Sequence, residues 1–213
     1  MDIYRTPLLT AREVARHLKM PESTLDVWIA SQADDAPLIH AVQPERRGWP
    51  RMPFISIIET YVLRSLRELG APKADVLRAA EIIRHEFGDE YALASKRIAT
   101  DGIALFVELA DKSILHVRDN QYGIREVLDG YLQYITWDDD GKPRNLRLRQ
   151  YPDQAQVVID PRFGWGAPVL ANSRVPVEAM LDLWRTGEPM SIVSEEFDLP
   201  LTVVEDVLRV AAA

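Results

Sequence analysis

Residues 10–30, TAREVARHLKMPESTLDVWIA, contain the pattern that decides the fold of the first part of the chain. Thr10 and Glu13 have the spacing of a capping box, in which each side chain hydrogen-bonds to the other residue's backbone N–H, so a helix is predicted to begin here. Pro21 ends that helix because proline cannot extend one, and residues 24–30 form a second short helix. Two short helices joined by a tight turn predict a helix-turn-helix.

The next stretch predicts a small wing and two further helices. Residues 38–42 have the composition of a strand, and residues 43–51, QPERRGWPR, form a turn rich in Pro, Gly and Arg. Helical spacing of apolar residues returns over residues 54–69 and again over 72–87. The helix that starts at Phe54 is apolar on more than one face, so another part of the chain or a second subunit is expected to cover it.

Residues 7–87 resemble the MerR-type winged-helix DNA-binding domain. The resemblance rests, in order, on LTAREVARHL at 9–18, PESTL at 21–25, the arginine-bearing wing, and LRSLRELG at 63–70. It implies DNA contacts from the second helix and from the wing, whose arginines carry permanent charge and forked donors. The candidate DNA-binding residues are Ser23, Thr24, Arg46, Arg47 and Arg51. Asp26 stands where this family typically has an arginine, and its charge would oppose a phosphate.

The middle of the chain predicts a small α+β segment. Residues 104–109 and 114–117 have the pattern of short strands, and residues 122–131 have that of a helix. Residues 134–149 predict a β-hairpin whose tip is the Asp-Asp-Asp-Gly run at 138–141.

The C-terminal part predicts strands near residues 157–170 and then three short helices around one apolar centre. One of these helices is expected to begin with a second capping box, Thr202 to Glu205. The order strand, Asp-Pro, Gly-x-Pro, Arg-x-Pro-Val, helix, Gly, helix, Leu-Thr-x-x-x-Val, helix resembles the domain-of-unknown-function family numbered 433 over residues 156–213. That resemblance implies a VapB-type antitoxin, the partner of a PIN-domain ribonuclease toxin in a type II toxin–antitoxin operon.

Aromatic and arginine side chains in this part are candidates for partner binding. Aromatic residues beside glycines on a loop either fill a core or anchor a partner, and a small three-helix unit needs large side chains to fill it. The candidate partner-binding residues are Phe163, Trp165, Arg174 and Trp184.

Composition excludes several kinds of site. The chain has 213 residues, no cysteine, and a net charge of −8. Residues 1–70 carry 9 basic and 9 acidic side chains, whereas residues 151–213 carry 4 and 10, so nucleic acid is expected to bind the first part and a protein the last. No two of the four histidines have a short metal-ligand spacing such as i, i+4. The sequence also contains no glycine-rich phosphate loop and no nucleophile elbow. We therefore predict no metal, no cofactor and no enzyme activity.

These observations predict a mainly α protein with small β elements (α+β). The expected segments are a winged helix-turn-helix over 1–88, an α+β middle part over 89–153 and a trihelical, homeodomain-like module over 154–213. The expected protein is a cytoplasmic, VapB-like antitoxin that neutralises a PIN-domain ribonuclease and binds operator DNA to regulate its own operon. It is expected to form a homodimer through the start of the helix at Phe54 and to have no membrane partner. Two alternatives stay open: a MerR-like regulator without a toxin, and a protein-interaction module that does not bind DNA.

Overall fold

The computed structural model describes residues 2–33, 36–112 and 121–212. The chain divides into two compact units, Asp2–Arg144 and Asn145–Ala213. Helices with short strands make up both units, which confirms the predicted mainly α class with small β elements. Residues 89–144 belong to the same unit as the predicted winged helix, and the division into three domains stays a prediction. Within the described residues, no helix is both long enough and apolar enough to cross a membrane.

The predicted helix-turn-helix is present near the start of the first unit. Its elements are β1 (Pro7–Leu9), α1 (Ala11–His17) and α2 (Glu22–Ile29). The capping box is confirmed, because the Thr10 N–H donates to Glu13 Oε2 at 2.7 Å and the Glu13 N–H donates to Thr10 Oγ1 at 3.2 Å. Val14, Leu25 and Trp28 are buried, so the two helices pack through these side chains and the other face of α2 is left to solvent.

The segment after α2 differs from the prediction. Its elements are the two-residue strands β2 (Gln32–Ala33), β3 (Ala36–Pro37) and β4 (Met52–Pro53), of which β4 pairs antiparallel with β1. The strand predicted at residues 38–42 is wrong. Leu38 and Ile39 are both fully buried, whereas a half-buried strand alternates, and the His40 N–H donates to Glu59 Oε2 at 2.9 Å instead of to a neighbouring strand.

Two long helices form the centre of the first unit. They are α3 (Phe54–Glu68) and α4 (Lys73–Phe87), and α4 ends at Gly88 in a left-handed conformation with φ +62°. The apolar start of α3 is covered by the chain itself, since Phe54 and Ile55 are at most 1% exposed. The hypothesis that Phe54 forms the contact between subunits is therefore wrong.

A buried charge cluster ties the segment before the wing to α3 and α4. Glu59 is fully buried, and its Oε1 lies 2.7 Å from His40 Nδ1 and 3.5 Å from Arg84 Nη2. Arg84 also donates to the carbonyl oxygen of Leu38 at 3.2 Å. Burial alone would lower the pKa of His40, but the hydrogen bond to Glu59 and the negative charge of Glu59 outweigh it and hold that pKa above its ordinary value.

The rest of the first unit is more helical than its sequence predicts. Its elements are two 3₁₀ turns (Ala92–Ala94 and Lys96–Ala99), α5 (Asp101–Asp111), α6 (Gln121–Leu132), β5 (Ile135–Trp137) and the start of β6 (Pro143–Arg147). The helix and the hairpin expected in this part are present. The strand predicted at 104–109 is wrong, because Ile103, Phe106 and Leu109 are buried at the three-residue spacing of a helix. The strand predicted at 114–117 lies outside the described residues.

The second unit contains three strands and the predicted three-helix module. Residues from the end of β6 pair antiparallel with β7 (Val157–Ile159), which pairs with β8 (Val169–Leu170). The helices α7 (Val177–Arg185), α8 (Met190–Glu196) and α9 (Leu201–Ala211) pack on one another through Met180, Val193, Val204 and Leu208. The second predicted capping box is wrong: α9 begins directly after Pro200, so Thr202 lies inside the first turn and makes no capping bond.

We expect Glu59→Ala to lower the free energy of unfolding by about 3–5 kcal/mol, because it leaves the Arg84 charge buried without its partner. Urea unfolding of the full chain measures this change. Glu90→Ala is the matched control, since Glu90 also contacts His40, at 3.1 Å from Nε2, but its side chain is 58% exposed. The control should cost less than about 1 kcal/mol. Equal effects of the two substitutions would contradict a special role for the buried carboxylate.

A second prediction concerns pH. Burial, with a smaller contribution from the nearby Arg16 charge, lowers the pKa of His17 to about 4. The unfolded chain takes up a proton at His17 near pH 6.5 but the folded chain does not until about pH 4, so stability falls as the pH falls through this range. From pH 7.5 to pH 5 the loss from His17 is about 1–2 kcal/mol.

Denaturant unfolding at several pH values measures this loss, and His17→Gln should remove it. His85→Gln is the control because the His85 side chain is 88% exposed, and this variant should keep the pH dependence of the original chain. A His17→Gln chain that loses stability in acid as steeply as the original would refute the assignment.

Candidate functional site

The exposed face of α2 carries part of the predicted DNA-binding set. Buried Leu25 and Trp28 fix the inner face of the helix, which leaves Ser23 exposed and Thr24 half-buried. Val27, on the exposed side, is 45% exposed. An outer face with a hydroxyl and a branched apolar side chain can contact both polar and methyl groups of a partner.

Two ion pairs neutralise the carboxylates on this face. Arg51 Nη2 lies 2.9 Å from Asp26 Oδ1, and Arg12 Nε lies 3.2 Å from Glu22 Oε2. Arg51 belongs to the end of the wing segment, so its pair with Asp26 joins the wing to α2 across 25 residues of sequence. The charge of Asp26, which in the sequence alone opposes a phosphate, is therefore offset within the protein, and Arg51 is held beside α2.

The wing segment presents the remaining predicted arginines to solvent. Its base is closed where the Val42 N–H donates to the Arg51 carbonyl oxygen at 2.9 Å, and a turn brings the Trp49 N–H to the Arg46 carbonyl oxygen at 3.1 Å. The Arg46 guanidinium lies 5.3 Å from the centre of the Trp49 ring, and Trp49 is 48% exposed. Arg47 is exposed and has no ion-pair partner among the described residues.

Three of the five predicted DNA-binding residues line two separate grooves. An open groove of about 610 Å³ lies between α2 and the wing segment and is lined by Arg47 and Arg51 together with Arg12, Glu22, Asp26 and Trp49. Thr24 lines a second groove, of about 320 Å³, with Lys19, Arg64 and Arg67. Ser23 and Arg46 line neither groove. The sequence motifs do not single out Arg12, Glu22 or Trp49, although an aromatic residue next to arginines on a glycine turn is a signal that points to Trp49.

The second unit exposes two large aromatic side chains on one loop. Trp165 is 80% exposed and Phe163 is 36% exposed, so the interpretation of Trp165 as a core residue is wrong. Trp165 has φ +52°, a left-handed conformation that is rare for a non-glycine residue and that occurs here within the turn Gly164–Gly166. The Arg174 guanidinium lies 4.4 Å from the centre of the Phe163 ring, whereas Trp184 is partly buried on α7.

A buried carboxylate holds this loop in place. Asp160 is fully buried and accepts three hydrogen bonds from Arg162: from its backbone N–H at 3.0 Å, from Nε at 2.9 Å and from Nη2 at 2.6 Å. Burial would raise the pKa of the Asp160 carboxyl, but these bonds and the charges of Arg162 and Arg174 outweigh it and lower that pKa. Asp160 thus anchors the start of the loop, where the Arg162 and Arg174 guanidinium groups lie 5.5 and 4.4 Å from the centre of the Phe163 ring.

Comparison with known proteins finds a separate family match in each of the two units. Residues 7–80 match the family described as "Putative DNA-binding HTH domain", and residues 157–211 match "Protein of unknown function (DUF433)". The protein described as "Putative antitoxin VapB45", from Mycobacterium tuberculosis (strain ATCC 25618 / H37Rv), is 31% identical over 231 aligned positions, which cover 99% of this chain and 96% of that relative. The chain belongs to the VapB45 antitoxin family.

The fold of the VapB45-type chain is also found in a solved structure. The crystal structure of Rv2018 from Mycobacterium tuberculosis has a TM-score of 0.80 and 30% sequence identity, with 96% of this chain and 99% of that chain covered. The resemblances to a helix-turn-helix DNA-binding domain and to family 433 are therefore confirmed. Residues 81–156 lie outside both family matches but inside the whole-chain similarity to VapB45.

Proposed function

We propose that this chain is a VapB-like antitoxin that neutralises a PIN-domain ribonuclease toxin and, as a cytoplasmic homodimer, binds operator DNA to regulate its own operon. The observation that carries the proposal is the whole-chain similarity to the antitoxin VapB45. Two surfaces support it. One is the basic, aromatic wing beside α2 in the first unit, and the other is the Trp165 loop in the second unit. Antitoxin and DNA-binding relatives support a regulator that is not an enzyme.

The DNA-binding role belongs to residues 1–88 in this proposal. Arg46 and Arg47 contact phosphate or enter the minor groove from the wing, Arg51 lines the groove beside α2, Ser23 contacts DNA from the exposed face of α2, and Thr24 does so from the second groove. A two-fold symmetric operator requires two such domains, which is why the proposal includes a homodimer. The surface through which two chains would associate is not the start of α3, because that part is buried within one chain.

The proposal assigns the toxin-binding role to residues 154–213, and the middle part, residues 89–153, is the alternative. Exposed aromatic rings and arginines dominate the energetics of many protein interfaces. Trp165 and Phe163 lie on one loop, the Arg174 guanidinium lies 4.4 Å from the centre of the Phe163 ring, and Trp184 presents a partly exposed ring on α7. Acidic side chains outnumber basic ones by 10 to 4 over residues 151–213, so this unit is a poor surface for a phosphate backbone and a better one for a protein.

Co-expression with the product of the adjacent reading frame tests the whole proposal. The neighbour alone should stop growth, and co-expression of this chain should restore growth and allow the two proteins to be purified together. A harmless neighbour with no co-purification would refute the toxin–antitoxin assignment. Binding to the upstream DNA would then identify a MerR-like regulator, and no binding would identify a protein-interaction module.

Substitution of the wing arginines tests the DNA contact. We expect Arg46→Ala and Arg47→Ala to weaken binding to the upstream DNA and to lower the slope of log K against log salt by about 0.9 for each phosphate that the variant no longer neutralises. Fluorescence anisotropy at several salt concentrations measures both changes. Arg185→Ala is the control because Arg185 is 54% exposed in the second unit and pairs with Glu178 and Asp182. An unchanged slope for both wing variants would place the DNA contact elsewhere.

Truncation of the exposed tryptophan tests the toxin contact. We expect Trp165→Ala to weaken toxin binding by at least about 2 kcal/mol, as for a central interface residue, and to change the free energy of unfolding by less than about 0.5 kcal/mol because the ring is exposed. Calorimetry with the purified toxin and urea unfolding measure the two effects. Leu201→Ala, which removes a side chain 42% exposed on α9, is the control. Equal toxin affinity for Trp165→Ala and the original chain would exclude this loop from the interface.

A further inference from the structure

Two carboxylates stand in a row on the solvent face of α2, at the position from which a helix-turn-helix reads DNA. Glu22 and Asp26 are four residues apart, so they lie one above the other on the helix surface. Their side chains are 44% and 52% exposed, and the buried Leu25 on the opposite side keeps them facing outward. A helix face that is used only to approach phosphates would not carry two carboxylates.

Each carboxylate is bound by an arginine through one oxygen only. Arg51 contacts Asp26 Oδ1 and Arg12 contacts Glu22 Oε2, so among the described residues Asp26 Oδ2 and Glu22 Oε1 accept no hydrogen bond. The arginines offset the negative charge, which reduces the repulsion between α2 and a phosphate backbone. They also favour one orientation of each carboxylate, Arg51 with a side chain that is 31% exposed and Arg12 with one that is 81% exposed.

The chemistry of a carboxylate selects among the base edges of the major groove. An ionised carboxylate accepts hydrogen bonds and donates none. Guanine offers two acceptors and thymine offers the O4 acceptor, so both edges repel it, and adenine places the N7 acceptor beside its amino group. The major-groove edge of cytosine carries the N4 amino donor and no acceptor. The free oxygens of Asp26 and Glu22 therefore match cytosine better than any other base.

We propose that Asp26 and Glu22 are specificity-determining residues that accept hydrogen bonds from the amino group of cytosine in the major groove, and that Arg51 and Arg12 are their positioning residues. This inference rests on the proposed DNA binding. It gives Asp26 a role in DNA recognition, whereas the sequence alone presents this residue as a charge that repels DNA. The exposed Val27 beside this row adds an apolar contact of the kind that suits a thymine methyl group.

Selection from a random duplex DNA pool with the full chain tests the inference. The original protein should enrich a motif that contains at least one fixed cytosine. Asp26→Ala should lose the preference at such a position by about 5- to 150-fold while the other positions are kept. Asp26→Asn should change the preference at that position from cytosine to adenine, because an amide both donates and accepts and so pairs with adenine N6 and N7. Glu22→Ala should relax a different position.

Asp182→Asn is the matched control. It makes the same chemical change in an exposed aspartate that also pairs with an arginine, Arg185 at 3.4 Å, but in the second unit. This variant should select the original motif, and thermal unfolding midpoints should show that every variant is folded.

The outcomes distinguish this inference from the function on which it depends. A motif that stays the same in Asp26→Ala and Glu22→Ala would overturn the inference and leave DNA binding in place. Uniformly tighter binding by Asp26→Ala, with no change in base preference, would also overturn it, because Asp26 would then act only as a repelling charge. If the original chain enriches no sequence and retains no duplex, the proposed DNA binding itself fails.

Discussion

The Glu59 carboxylate lies on α3 with no solvent exposure, and an ionised group can remain in such a place only when donors surround it. The donors come from separate parts of the first unit. The His40 N–H and ring belong to the segment that enters the wing, and Arg84 belongs to α4. Arg84 in turn binds the Leu38 carbonyl oxygen. One buried carboxylate therefore fixes where the segment that enters the wing leaves the core, and the Asp26–Arg51 pair joins the end of the wing to α2.

Local signals in the sequence predicted local structure correctly. The Thr10–Glu13 capping box and the hairpin tip at residues 138–141 each depend on groups a few residues apart, so one short stretch of sequence contains both interacting partners. The same capping pattern at Thr202 failed because the helix begins two residues earlier, with Pro200 (φ −57°) directly before its first turn. The strand expected at residues 104–109 failed because a short apolar run fits a helix and a strand equally well until its packing partners are known.

Interactions between distant residues could not be predicted in this way. The pair between Asp26 and Arg51 joins residues 25 apart, and no spacing rule relates them. The sequence alone therefore assigns Arg51 to DNA and presents Asp26 as a repelling charge. In the structure, Arg51 offsets the charge of Asp26, and Asp26 holds Arg51 beside α2. For Trp165 the sequence leaves two interpretations open, a core residue or a partner anchor, because the local sequence does not show that the turn Gly164–Gly166 places this side chain at the surface.

The outer face of α2 and the Trp165 loop hold their carboxylates differently, and the difference agrees with the two kinds of partner proposed. In the first unit, the carboxylates of the outer helix face are each bound by one arginine and remain half exposed, so a polar partner can still reach them. In the second unit, Asp160 is fully buried and bound by Arg162 through both oxygens, so its charge serves to hold the loop. What that loop then offers to solvent is an aromatic surface edged by Arg174. Exposed aromatic rings beside arginines are enriched at protein interfaces, so this surface supports the proposed toxin contact.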